Sequence, residues 1–162
     1  SVEEAEEYIE KPFSMKYLTA RIAAIIEKKK KEAEQNLTSI QTPEIVHLVA
    51  KSDKALVERF QKLVEDNIGN DKLNISFVCD QLGVSQTTFF RKFKSVMNIS
   101  PNDYIRIARI ERAAAVLMEV ENVRVSDVAY ELGFSSPSYF TRCFIQHFGV
   151  SPKTYVIQKK NL

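Results

Sequence analysis

The sequence predicts an all-α fold: two copies of a short helical hairpin joined by one long helix, with a further helix near the N-terminus. Three observations carry this. The 162 residues include only four Gly and five Pro and no Trp, which suits helices and short turns better than an all-β chain. Apolar residues recur at helical spacing along most of the chain. One stretch of sequence also occurs twice.

The repeat weighs most. "VCDQLGVSQTTFFRKFKSVMNISPNDY" aligns with "VAYELGFSSPSYFTRCFIQHFGVSPKTY". Val78, Leu82 and Gly83 match Val128, Leu132 and Gly133 at an offset of 50. Phe89, Arg91, Phe93, Ser100, Pro101 and Tyr104 match Phe140, Arg142, Phe144, Ser151, Pro152 and Tyr155 at an offset of 51. The second copy therefore carries one extra residue after its glycine.

The elements follow in order. Ser14 reads as an N-cap, and Met15, Leu18, Ile22, Ile25 and Ile26 form one apolar stripe behind it. Gln35 to Lys51 is mixed and polar, with Thr42-Pro43, and reads as a linker. From Asp53, the residues Leu56, Val57, Phe60, Leu63, Val64 and Ile68 mark an amphipathic helix that Gly69 is expected to stop at its C′ position. In the first copy a short helix spans Ile75 to Leu82, Gly83-Val84-Ser85 turns the chain, and a helix spans Gln86 to Met97. Pro101 suits the first turn of the next helix, expected to run to about Glu119. The second copy places a short helix at Val125 to Leu132, a turn at Gly133, a helix at Pro137 to Phe148 and a last short helix at Lys153 to about Gln158.

Each copy has the layout of a helix-turn-helix. The glycine permits a left-handed turn without Cβ strain. In the following helix, Phe89 and Phe93, or Phe140 and Phe144, lie one turn apart and face inward. The other face opens with small polar residues: Gln86, Thr87 and Thr88 in one copy, Ser136 and Ser138 in the other. Small polar residues followed by an arginine (Arg91, Arg142) suit a helix that enters a major groove and reaches base edges. A connecting helix of about 17 residues makes roughly 25 Å of rod; with packing at both ends, a separation near one DNA turn of ~34 Å is expected. A pair held slightly closer than that would bend the duplex.

Net charge is +2, which says little by itself, but its distribution points to a polyanion. No carboxylate occurs from Gln81 to Asn102, where Arg91, Lys92 and Lys94 stand, nor from Leu132 to Leu162, where Arg142, Lys153, Lys159 and Lys160 stand. Cys79 and Cys143 are too few for a disulfide framework and are expected as buried free thiols, which fits a reducing, cytoplasmic setting. No run of ~18 apolar residues forms a membrane span, and the acidic N-terminus is unlike a secretory signal. The two histidines, His47 and His147, accompany no phosphate loop or nucleophile elbow, so enzyme chemistry, cofactors and metals are not expected. Cys143 and His147 are one helical turn apart, but two ligands do not make a structural zinc site.

The second copy resembles the AraC/XylS family of transcription regulators in Ala129, Gly133-Phe134, Ser138-Tyr139-Phe140, Arg142, Phe144, Gly149, Ser151-Pro152 and Tyr155. "IRIARIERAAAVL" resembles the family's linker helix. The resemblance covers about Asp53 to Gln158. It implies base contacts from Gln86, Thr87, Phe90 and Arg91, then from Ser136, Pro137, Ser138, Thr141 and Arg142; Thr88 and Lys94 share that polar, basic face. Phe90 departs from the polar residue common at its position, which leaves a thymine methyl as its target. Ile145 and Gln146 stand where basic residues are usual. The starts of the two scaffold helices, at Asn74 and Ser76 and at Arg124 and Ser126, offer backbone N–H groups to phosphates. The partner implied is double-stranded DNA, with RNA polymerase and a second copy of the full-length protein as protein partners; a pure protein-docking module is the rival reading.

"AEEYIEKPFSMKYLTARIAAII" resembles the tail of a response-regulator receiver: final strand, Lys11-Pro12, last helix. In that family the lysine contacts the phosphoryl group. The order resembles hybrid two-component regulators and implies a fragment of a longer phosphorelay protein. The expected organisation is a receiver remnant over 1–34, a linker over 35–52, and a DNA-binding domain over 53–158, with hairpins at about 75–97 and 125–148.

Overall fold

The computed structural model describes the backbone of residues 43–161 and the side chains of residues 51–161. The receiver-like segment expected over 1–34, with Lys11 and the stripe from Met15 to Ile26, lies outside the described residues. Seven helices follow among those described: α1 (Pro43–Asp66), α2 (Ile75–Leu82), α3 (Gln86–Met97), α4 (Pro101–Glu119), α5 (Val125–Glu131), α6 (Pro137–Phe148) and α7 (Pro152–Lys160). The described residues contain no strand, as the all-α reading requires.

Two expectations near α1 are corrected. The helix starts at Pro43, inside the segment read as linker. Proline is well accommodated in a first turn, and no Gly or Pro interrupts the chain from Glu44 to Ile68, so the C-terminal part of the expected linker continues the helix. Gly69 is not a left-handed C-cap either. The helix has already ended, with the Asn67 N–H shared between the carbonyls of Leu63 and Val64, and the glycines with positive φ are Gly83, Gly133 and Gly149. Gly69 is needed for close approach: a Cβ there would lie 2.5 Å from the backbone oxygen of Glu131.

The helix starts are set by side-chain caps. Ser85, Ser100, Ser136 and Ser151 each accept the N–H of the residue three positions on, at 3.1–3.2 Å. Asn74 accepts from the Phe77 N–H at 2.8 Å. The extra residue of the second copy falls between Gly133 and the cap Ser136. It lets Phe134 turn inward and pack edge-on against Phe140 at 5.1 Å, whereas Val84 of the first copy is only half-buried.

The apolar residues form two cores. The first gathers Phe60 from α1, Val78 from α2, Phe89 and Phe93 from α3, and Tyr104, Ile105 and Ile107 from α4. The second gathers Ile110, Ala113, Ala114 and Leu117 from α4, Val128 and Ala129 from α5, and Phe140 and Phe144 from α6. The repeat survives in the packing. Phe93 meets Tyr104 edge-on at 5.9 Å and 83°, and Phe144 meets Tyr155 at 5.4 Å and 81°. Burial, with Glu65 in support and a Gln61 hydrogen bond opposing, pushes the Tyr104 hydroxyl up to about 12. Both cysteines are buried free thiols, as expected.

Helix α4 therefore serves both units, closing the first with its N-terminal half and opening the second with its C-terminal half. Its 19 residues give roughly 28 Å of rod at 1.5 Å per residue. Where the cores change over stands Arg109. Its Nε donates to the carbonyl of Ile68 at 3.0 Å and its Nη2 to that of Asn70 at 2.7 Å. Ile68 itself packs against both cores. On the other side, Gly133, at φ 81°, lies so close that a Cβ would be 2.8 Å from the guanidinium carbon. Burial holds the Arg109 guanidinium below its ordinary pKa, with Asp71 acting in the opposite direction.

Truncating Phe93 or Phe144 to Ala should lower stability by ~3–5 kcal/mol, the cost of emptying a packed aromatic site, as read by urea denaturation. Gly69→Ala should cost ~1–3 kcal/mol, because the new methyl meets backbone and not a movable side chain; a midpoint equal to the parent's would remove the close approach as its cause.

Candidate nucleic-acid interface

Helix α3 buries Phe89, Phe93, Val96 and Met97 on one side. With 3.6 residues per turn, Thr87, Arg91 and Lys94 fall away from that side, whereas Gln86 and Phe90 lie seven residues before Phe93 and Met97, in line with the buried stripe, and Gln86 is open because it begins the helix. Gln86, Thr87, Arg91 and Lys94 are exposed. Thr88 is half-buried beside the cap, and Lys92 leans back to within 3.9 Å of Asp53. Phe90 is half-buried and packs against the first core, so only part of its ring is open to a ligand.

Helix α6 repeats the arrangement on the second core. Ser138 and Arg142 are exposed; Pro137 and Thr141 are half-buried. The Ser136 hydroxyl is engaged as the cap of this helix. Tyr139, 41% exposed, belongs to this face as well, although the sequence reading used it only as a family marker. The Arg142 guanidinium carbon lies 5.8 Å from the centre of its ring. A cation over an aromatic face gains electrostatic attraction, so Tyr139 restricts where the Arg142 guanidinium lies. The hydrogen bond to Cys143, then partial burial, keep the Tyr139 phenol above its ordinary pKa.

Gln146 explains a departure noted in the sequence. Its Oε1 accepts from Arg106 Nη1 at 2.8 Å, and Arg106 Nη2 also donates to Asp103 at 3.0 Å. The end of α6 is thus tied to an ion pair on α4, with Arg106 forty positions earlier in the chain. A residue separation of that size has no periodic signal, so Arg106 was invisible as a member of this face. Ile145 is exposed beside it.

The scaffold helices differ at their starts. Asn74 spends its side chain on capping α2, leaving Ser76 exposed. Arg124 heads α5 with no side-chain cap bond, and Ser126 is half-buried behind it. Asn74 also borders a cleft between the units, together with Arg106, Ser135 and Tyr139. The structure therefore gathers residues of both units around Arg106, while α3 and α6 remain seated on separate cores. His147 is buried, and its Nε2 lies 2.6 Å from Glu111 Oε1, a tie between α6 and α4 that stands behind the exposed face.

The family model described as a helix-turn-helix domain matches residues 78–158, half of the chain, taking in both hairpins and the helix between them. The chain belongs to the AraC-type helix-turn-helix family. Members of the family are DNA-binding domains of transcription regulators, not enzymes. Histidine kinase P4 of Formosa agariphila is 37% identical over 153 residues, covering 93% of this chain. The chain spans 11% of that protein's length, so the kinase name carries no catalytic inference here. The solved C-terminal domain of AraT, a response regulator from Geobacillus stearothermophilus, is 26% identical with a TM-score of 0.60, covering 64% of this chain and 84% of that one. The DNA-binding domain of AdpA, solved in complex with a target DNA, shares the fold at 24% identity and a TM-score of 0.58, covering 65% of this chain and 93% of its own. No helix among the described residues is long and apolar enough to cross a membrane.

Arg91→Ala and Arg142→Ala should each weaken binding to a selected specific duplex by ~1–3 kcal/mol, the worth of a bidentate guanine contact, with little change on random DNA. An equal loss on both duplexes, measured by competition, would demote them to phosphate contacts.

Proposed function

We propose that this AraC-type domain is the DNA-reading output of a two-component phosphorelay regulator, and that α3 and α6 enter consecutive major grooves of one duplex. The observation that carries the groove reading is the pair of exposed polar and basic helix faces, each on its own core, attached to the two halves of one rigid helix. Gln86, Thr87, Thr88, Phe90, Arg91 and Lys94 would face one groove, and Ser136, Pro137, Ser138, Thr141 and Arg142 the next. Arginine reads guanine through O6 and N7, and the threonines and the open edge of Phe90 suit thymine methyls. Asn74, Ser76, Arg124 and Ser126 would position the duplex through phosphates without reading sequence. The AdpA domain bound to its target DNA supports a DNA ligand for this fold. The phosphorelay part is supported by the likeness to the C-terminal domain of the response regulator AraT and to a histidine kinase, and by the receiver-like "YIEKPFS" sequence ahead of the domain. RNA polymerase and a second copy of the regulator are the protein partners that fit this role.

Fluorescence anisotropy of the chain on a random-sequence duplex of about 30 base pairs, titrated with salt, tests the reading. Each phosphate neutralised contributes about −0.9 to the slope of log affinity against log salt, so affinity should fall steeply as salt rises. Salt-independent binding, or none at low salt both with and without residues 1–42, would favour a protein-docking role.

A further inference from the structure

We infer that Arg109 is the positioning residue that sets the angle and spacing between the two recognition helices, and so decides which half-site separation this domain accepts. The inference rests on the two-groove reading for its consequence on DNA, but its structural part stands on observations within the free chain.

The two cores are separate clusters, and the side chains of α4 pass from the first to the second between Ile107 and Ile110. A helix shared by two cores fixes the spacing of the units along its axis, and how each unit packs around that axis is set by the contacts where the cores meet. Arg109 sits at that crossover and closes it. Its planar fork spans two carbonyls of the loop after α1, at Ile68 and Asn70, a geometry that a lysine ammonium on a flexible stem cannot match. Its outer side is filled by the turn of the second hairpin, where Gly133 admits no Cβ without striking the guanidinium. The loop of the first unit also touches the end of α5 directly, since Gly69 abuts the Glu131 carbonyl. The first unit's loop, the shared helix and the second unit's turn thus meet at one side chain. The acceptors are uncharged carbonyls fixed by the backbone, and charged donors strengthen such bonds. A methyl at Gly69 would meet the Glu131 backbone of the other unit, and one at Gly133 would push the Arg109 guanidinium away from its place.

The prediction concerns relative placement and not the local fold of either unit. Residual dipolar couplings of backbone amides in the free chain test it directly. In the parent, residues 56–105 and 110–156 should fit one shared alignment tensor. In Arg109→Gln they should need two tensors of different magnitude, while chemical shifts at Phe60, Phe93, Phe140 and Phe144 stay at parent positions. A shared tensor with the parent orientation in the variant would overturn the proposal. Arg109→Lys, which keeps the charge but offers one nitrogen where the fork spans two carbonyls, goes through the same measurement. It covers the case in which the glutamine variant does not fold, and a rigid lysine variant would likewise overturn the fork argument.

Selection of binding sites from a random duplex pool gives the functional arm. The parent should select two half-sites at one separation, about one helical turn. Arg109→Gln should select the same half-sites with discrimination against a one-base-pair change in separation reduced from about tenfold to about twofold, since a loosened pair follows the duplex where a rigid one must deform it. Unchanged discrimination would overturn the role in spacing. If the parent selects only a single half-site, the two-groove reading fails, and the dipolar couplings still decide whether Arg109 fixes the two units.

Discussion

The sharing of α4 between two cores is the constraint on which the rest of this structure depends. Its first half completes one hairpin through Tyr104 and Ile107, and its second half begins the other through Ile110 and Ala114. Neither hairpin is large enough to bury its aromatic residues alone, so each borrows a long helix: α1 for the first, α4 for the second. Sharing removes a flexible tether between the units. It also concentrates their remaining freedom at one place, the crossover that Arg109 occupies with two backbone carbonyls on one side and Gly133 on the other.

The two exposed helix faces are alike in plan and unlike in electrostatics. Helix α3 carries Arg91 and Lys94 itself. Helix α6 carries Arg142, with its guanidinium over Tyr139, and is tied through Gln146 to Arg106 of α4, itself paired with Asp103. The second face is therefore coupled to the shared helix by hydrogen bonds, on top of the buried His147–Glu111 contact. The first is coupled to it through the packing of Phe89 and Phe93 around Phe60 and Tyr104.

Most of the helical architecture was legible because it rests on local rules. The offset repeat located both hairpins, and the bounds of α2, α3, α4 and α6 agree with the periodicity and breakers that predicted them. The misreadings arose where one residue type serves two ends. The mixed segment from Gln35 to Lys51 reads as a linker, yet nothing after Pro43 breaks a helix, and α1 extends back to that residue. Gly69 was read as a left-handed cap because glycine most often supplies backbone freedom, whereas here it supplies room for the Glu131 carbonyl. The polar faces of α3 and α6 followed from the placement of the inward phenylalanines, but the openness of a given side chain did not: Phe90 is half-buried and Tyr139 is exposed.

By itself the sequence determined the order of the helices from Ile75 onward, the inward aromatic pairs, the basic and carboxylate-free faces, and the family. Each of these is written in spacings of a few residues, or in a repeat that can be aligned. Only the tertiary structure decided how the two units are fastened. Arg109 reaches the carbonyls of Ile68 and Asn70 about forty positions away, Arg106 reaches Gln146 across a similar distance, and Gly69 meets Glu131 across a longer one. Those contacts depend on where helices of fixed length end in space, and several run to backbone atoms, which have the same chemistry at every residue and leave no mark in the sequence.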